Sequence, residues 1–403
     1  MSGSDSSPVA GKMLDFLGRA SWIRKMFEEG LRLKAKFGAE SVCDLSLGNP
    51  DIAPPEAFQR AFEAKAVDRS PRVHAYMPNA GLADVRAKVA GHVGMEHRVR
   101  LGADEIIMTC GAAGGLNIIF KSLLDPGDEV ITPIPFFVEY SFYVDNHGGR
   151  LVPVDSMQDF SLDVEAIKRA ITPRTKAVLI NSPNNPSGAI YSEEGLKTLA
   201  STLKDAERCH GRPIFIVSDE PYRRLVFDNN YVPSILGHYK ASIVTTSFSK
   251  DLSIPGERIG YVAVHPDAPQ KKALLGALNL ANRILGFVNA PALMQRVVAD
   301  VMDSTVDIKI YERRRNLLAG ILASAGYEFV MPQGAFYFFP KSPILDDVKF
   351  VSMLQEELIL AVPGSGFGLP GHFRLAFCVD EEVIERSRAG FVAVMKKVMA
   401  FGG

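Results

Sequence analysis

The chain has 403 residues, 47% of them hydrophobic, and single hydrophobic cores stop growing near roughly 250–300 residues. One simple core is therefore excluded, and two domains, or a large one with a satellite, are expected. The 45 Lys and Arg residues nearly cancel the 46 Asp and Glu, leaving a net charge of −1. This excludes a general field for nucleic acid or an anionic membrane, so any bound anion must be held locally.

The opening stretch MSGSDSSPVAGKMLDFLG lacks the basic start and the apolar run, roughly 7–15 residues long, of a signal peptide. Residues 1–12 are expected to be a flexible lead. The next stretch, SWIRKMFEEGLRLKAKFG, is amphipathic, and residues 13–48 are expected to pack with the C-terminal part of the chain. No segment reaches the roughly 18 uninterrupted apolar residues of a membrane span, so a soluble, cytoplasmic protein is expected. Cys43, Cys110, Cys209 and Cys378 are far apart and form no C-x-x-C pair; they read as reduced thiols, and no metal is expected.

From Glu105 to about Val264 short β-rich runs alternate with helical stretches. The runs are EIIMT, DEVITP, RLVPVD, KAVLIN, PIFIVSD, SIVTTS and IGYVAV. They are apolar almost throughout, which marks strands buried on both faces, so an α/β fold with a seven-stranded, mostly parallel sheet covered by helices is expected over residues 49–290. Between them, SEEGLKTLASTLKDAERC reads as a helix with Ser192 at its N-cap, acids in the first turn, and Leu196, Leu199 and Leu203 on one face. After about Pro291 come a charged helical stretch through YERRRNLLAGILASAG and short strands in GAFYFFP and FRLAFCV. Residues 291–403 are expected to form a smaller α+β domain.

Polar residues follow several of these runs, where open α/β sheets bind ligands. CGAAGGLN, residues 110–117, follows the first run and enters a helix; it is either a tight turn needing small residues or a place where backbone N–H groups grip a phosphate. It is not G-x-G-x-x-G, which removes the main support for a dinucleotide site. NSPNNPSG, residues 181–188, is an Asx-rich loop that could be ordinary. VSDEPYRRL places Asp219 at a strand end with Tyr222 three residues on, and a carboxylate there needs a helix to cap or a cationic partner. SFSKDLSIPGERIGY gathers Ser247, Ser249, Lys250 and Arg258; a lysine ending a buried strand is unusual, though one could reach solvent along its stem.

In this order these segments resemble the class I/II aminotransferases of pyridoxal-phosphate fold type I, as in aspartate aminotransferase. LSLGNPD at 45–51, YMPNAGLADVR at 76–86, PIPFFVEY at 133–140, PQGAFYFFP at 332–340 and HFRLAFC at 372–378 extend the likeness over nearly the whole chain. The resemblance implies a ping-pong transfer of an amino group between an L-amino acid and a 2-oxo acid, with pyridoxal 5′-phosphate as cofactor. Lys250 matches the lysine that forms a Schiff base with the cofactor aldehyde and shuttles the Cα proton. Asp219 matches the carboxylate that keeps the ring nitrogen protonated, Tyr222 and Asn185 the donors to the ring hydroxyl oxygen, and Phe137 the residue on the ring face. Arg258, Ser247 and the backbone N–H groups of Ala112 and Ala113 match the phosphate positions. Tyr76 matches a tyrosine that reaches the phosphate of a neighbouring subunit, which implies a homodimer. Arg374 matches the arginine for the substrate α-carboxylate, where a planar fork gives two parallel bonds; Asn185 and Gly48 adjoin that carboxylate.

The sequence departs from the commoner family pattern in places. Phe137 stands where tryptophan or tyrosine is usual, and acidic Glu257 precedes Arg258. No clear match appears for a second arginine that would bind a side-chain carboxylate, although Arg283 is near in sequence. A C–S β-lyase of the same fold would keep every named residue. A ligand-sensing regulator without turnover would need a DNA-binding extension, and the chain has no spare basic domain.

Overall fold

The computed structural model describes residues 7–18 and 22–401. The seven apolar runs form one sheet, comprising β1 (Ile106–Thr109), β2 (Glu129–Pro133), β3 (Arg150–Val154), β4 (Thr175–Asn181), β5 (Phe215–Asp219), β6 (Ser242–Ser247) and β7 (Gly260–Val264). Their spatial order is β1-β7-β6-β5-β4-β2-β3. Neighbours pair in parallel except at β7, which is antiparallel to both β1 and β6. The expected α/β class and mostly parallel sheet are what the chain adopts. β3 departs from the expected two-sided burial: at one edge of the sheet, it is partly exposed along its length, whereas β1 at the other edge is buried.

Helices cover the sheet for the reasons the sequence gives. Helix Glu193–His210 starts at Ser192, whose hydroxyl accepts a bond from Gly195 N–H at 3.0 Å, and ends at Gly211 in the left-handed region. Its Leu196, Leu199 and Leu203 are buried, each adding roughly 1.5–3 kcal/mol of hydrophobic stabilisation. A second core gathers Tyr311, Leu318, Phe338, Phe350, Phe373 and Phe391. Here the short strands Val362–Pro363, Phe373–Ala376 and Tyr337–Phe338 pair antiparallel.

The N-terminal part joins this second core. Cys43–Asp44 pairs in parallel with Ile359–Leu360, and Met26, Cys43 and Leu45 are buried in the same cluster as Phe373. Ala376 N–H donates to Leu45 O at 2.7 Å, which lays residues 46–48 beside Arg374. Within the stretch read as a flexible lead, residues 1–6 lie outside the described residues, and a helix begins at Gly11. It is tied down by Lys12 to Asp145 (2.6 Å) and by the edge of Phe16 on Phe142, with ring centres 4.9 Å apart. Among the described residues no helix is long and apolar enough to cross a membrane.

Candidate active site

Strand register builds the floor of the site. Asn181, Asp219 and Thr245 are direct neighbours across β4, β5 and β6, at the carboxyl ends of parallel strands, where such sheets bind ligands. β6 runs on to Ser247, paired with Gly260, and Lys250 follows in the turn. A cavity of about 540 Å³ opens above these ends. Of the residues singled out in the sequence, Gly48, Ala112, Ala113, Phe137, Asn185, Asp219, Tyr222, Ser247, Lys250, Arg258 and Arg374 all line it. Tyr76 does not, being 91% exposed, and Arg283 is exposed near the end of helix Lys271–Ile284, outside the lining.

The Lys250 ammonium donates to Gly48 O at 2.8 Å and lies 5.4 Å from the centre of the Phe336 ring. Among the described residues no carboxylate is within ion-pair distance of it, and burial lowers its pKa to about 8. Asp219 is 5% exposed. Burial pushes its carboxyl up to about 7, against a bond from Tyr140, and nearby Glu220 adds to the rise. The Tyr140 hydroxyl donates to Asp219 Oδ2 at 2.6 Å, while Oδ1 is buried without a partner. A buried carboxylate oxygen left unpaired is costly, so such a group marks a place for a cationic or donating ligand.

Tyr222 and Tyr337 share a hydroxyl contact of 2.9 Å. Burial and the facing Tyr337 hold the Tyr222 hydroxyl well above the ordinary tyrosine range, so it acts as a neutral donor or acceptor. Arg374 is buried between two rings, with its guanidinium carbon 4.6 Å from the Tyr337 centre and 4.9 Å from Phe367. It donates to Asn185 Oδ1 at 3.1 Å and to Ser46 O at 2.5 Å, and its Nε is buried unpaired. At Gly48, which lines the cavity, a Cβ would sit 1.8 Å from the Tyr337 hydroxyl, so only glycine leaves room for that tyrosine.

One wall of the cavity is the start of helix Gly111–Leu123, where the N–H groups of the first turn have no intrahelical partners. Gly111 has φ +70, and a Cβ on it would lie 2.8 Å from Arg258 Nη2. The turn therefore favours glycine, and a side chain there would displace the guanidinium beside it. Arg258 also donates to Pro255 O at 2.9 Å; Glu257 is exposed. Phe137 meets Tyr140 edge-on, with centres 5.6 Å apart.

Sequence reading passed over Tyr140, Asn181, Tyr143 and Tyr337, all of which line the cavity. Asn181 donates to Asp219 O at 2.8 Å and accepts from Asn185 N–H at 2.7 Å, joining two strand ends to the Asx-rich loop. The strings that hold these residues were visible. What linear reading lacks is which side chain of each string turns inward.

Comparison with known proteins agrees with this architecture. The family model for aminotransferase class I and II matches residues 40–389. An aminotransferase structure from Eubacterium rectale superposes with a TM-score of 0.93 at 40% identity, covering 96% of this chain and 99% of that one. The aspartate aminotransferase of Thermus thermophilus with maleate gives a TM-score of 0.83 at 29% identity, covering 93% and 97%. An Aquifex aeolicus protein named "Probable aspartate/prephenate aminotransferase" is 36% identical over 355 residues, covering 85% of this chain and 88% of that protein. The chain belongs to the class I and II aminotransferase family.

Proposed function

We propose that the cavity binds pyridoxal 5′-phosphate and that the chain moves an amino group between an L-amino acid and a 2-oxo acid in two half-reactions. The observation that carries this is one cavity lined by both a lysine amine without a carboxylate partner and a buried aspartate with an unpaired oxygen. When bound, the cofactor supplies an aldehyde for the lysine and a ring that withdraws electrons from the substrate Cα. Lys250 anchors that aldehyde and, once displaced by substrate, carries the Cα proton; its lowered pKa keeps part of it as free amine near neutrality. Asp219 holds the proton on the ring nitrogen, Tyr222 and Asn185 bond the ring oxygen, and Phe137 covers a ring face. Arg258, Ser247 and the N–H groups of Ala112 and Ala113 hold the phosphate. Arg374, fixed between two rings, takes the substrate α-carboxylate beside Asn185 and Gly48.

The same reading makes the active form a homodimer with Tyr76 offered to the neighbouring phosphate, which accounts for an exposed tyrosine in a single chain. It divides the chain into 49–290 and 291–403, with 13–48 joined to the latter; the packing of Met26, Cys43 and Leu45 supports that junction.

The test is a panel of amino acids mixed with yellow holoenzyme, aspartate first because relatives are named for it. A donor that bleaches the colour and a 2-oxo acid that restores it are the expected results. Lys250→Ala should abolish turnover, and borohydride reduction followed by peptide mapping should label position 250. Ammonia and pyruvate formed from a cysteine-type substrate without any acceptor would instead mark β-elimination.

A further inference from the structure

We propose that Asp251, paired with Arg224, is a positioning residue for Lys250 that fastens the turn carrying the amine to the crossing between the two cores. The proposal rests on the reading of the cavity given above, in which Lys250 is the reacting amine. Residues 301–306 make that crossing: Val301 and Met302 are buried in the core that covers the sheet, and Val306 in the second core. Lys250 stands past the end of β6, in a turn rather than in a strand or helix. An amine on such a turn is only as well placed as the contacts that hold the turn.

Asp251 supplies those contacts. It is 7% exposed and does not line the cavity, so it acts through the chain and not on a ligand. Its carbonyl accepts from Val306 N–H at 2.8 Å and from the Thr305 hydroxyl at 3.2 Å, and its Oδ1 accepts from Leu252 N–H at 3.0 Å. Arg224 grips the same crossing. Its Nη1 donates to Met302 O and Ser304 O, both at 2.9 Å, and lies 3.5 Å from Asp251 Oδ2. Glu96, 3.7 Å from Nε, faces another edge of the guanidinium. Acid, guanidinium and crossing thus close a ring of contacts one residue away from Lys250. Burial raises the Asp251 carboxyl to about 6 against the pull of Arg224, so above that pH the pair is ionised. A buried pair adds little net stability, but removing one member leaves the other uncompensated, which holds both to a single arrangement.

The experiment is a double-mutant cycle with two readouts. In the cofactor-free protein, hydrogen exchange of the peptide that carries Val306 reports whether the crossing stays fastened. Asp251→Asn and Arg224→Met should each speed it about tenfold, the size of losing one bond to a charged group. In the holoenzyme, the first-order rate constant for bleaching by a saturating donor in a single turnover is independent of how much protein is folded or loaded. Each substitution should lower it about tenfold, short of the roughly 100-fold of an ångström's misplacement. Donor affinity should stay within about twofold of the parent, because Arg374 is untouched. The double variant should lose no more than either single one. Arg224→Lys should recover the parental rate constant to within about threefold, since one nitrogen of Arg224 makes the contacts to the crossing and to Asp251. A parental rate constant or unchanged exchange in Asp251→Asn would overturn the role, as would additive losses in the double variant. Asp251→Asn, which keeps its shape, carries the test alone if Arg224→Met does not fold. A parent protein that no amino acid bleaches would instead sink the reading of the cavity.

Discussion

Asp219 and Lys250 are held in opposite kinds of discomfort. Burial raises the carboxyl to about 7 and lowers the amine to about 8, so each is pushed toward its neutral form, and a ligand with a cationic nitrogen and an aldehyde relieves both. The stability consequence for the cofactor-free protein has a definite sign. Between roughly pH 4 and 7 the folded chain keeps a proton on Asp219 that the unfolded chain has released. This contribution is full below pH 4 and is lost as pH rises toward 7. Lys250 runs the other way: its contribution is full above roughly pH 10.5 and is lost as pH falls to about 8. Asp219→Asn removes the acid without changing its shape, so at pH 8 the cofactor-free variant should be more stable than the parent, by at most roughly 4 kcal/mol. At pH 4 the two should be nearly equal. Urea unfolding at both pH values checks this, and an identical difference at each would show that Asp219 carries no buried charge.

Among the elements, those with strong local signals formed where the pattern placed them. The seven apolar runs could be read because a strand covered on both faces has no room for polar residues; β3, partly exposed at one edge, is the exception. Helix Glu193–His210 shows the same agreement between start signal, apolar stripe and end glycine. Ser192→Ala should therefore cost about 1 kcal/mol in urea unfolding, the usual worth of an N-cap, while leaving cofactor affinity unchanged, since the cap does not line the cavity. A wild-type midpoint would mean that water replaces the hydroxyl. Pattern fails for the two-residue strand Cys43–Asp44, which is too short for any period to appear, whereas the equally short Tyr337–Phe338 lies within the expected strand string GAFYFFP. It fails also for the inward turn of Tyr140 and Tyr337. Each has several aromatic residues close by in sequence, FFVEYSFY around Tyr140 and FYFF around Tyr337, and only tertiary packing decides which ring enters the cavity.

At the scale of the whole molecule, the site exists because two cores meet. Lys250 Nζ bonds Gly48 O across 202 residues, and Arg374 reaches Asn185 across 189. These contacts fasten the cavity to both chain ends, so it is complete only when the second core is docked on the sheet. Every proposed cofactor contact but one falls on the cavity wall. The remaining one, Tyr76, is 91% exposed, and its role needs a second copy of the chain. Mixed dimers separate the possibilities. A Lys250→Ala subunit has no amine, and a Tyr76→Phe subunit lacks the phosphate hydroxyl. If Tyr76 serves the partner's cavity, one site of the mixed dimer combines an intact Lys250 with an intact Tyr76 from the other subunit, while the second site carries both lesions. Unfolding and refolding equal amounts of the two variants together should then restore parental cofactor affinity at one of the two sites of each mixed dimer, about a quarter of all sites under random pairing, although neither variant alone has it. If Tyr76 instead serves its own cavity, no intact site can arise by mixing, and dialysis would find only the weakened affinity of the Tyr76→Phe protein.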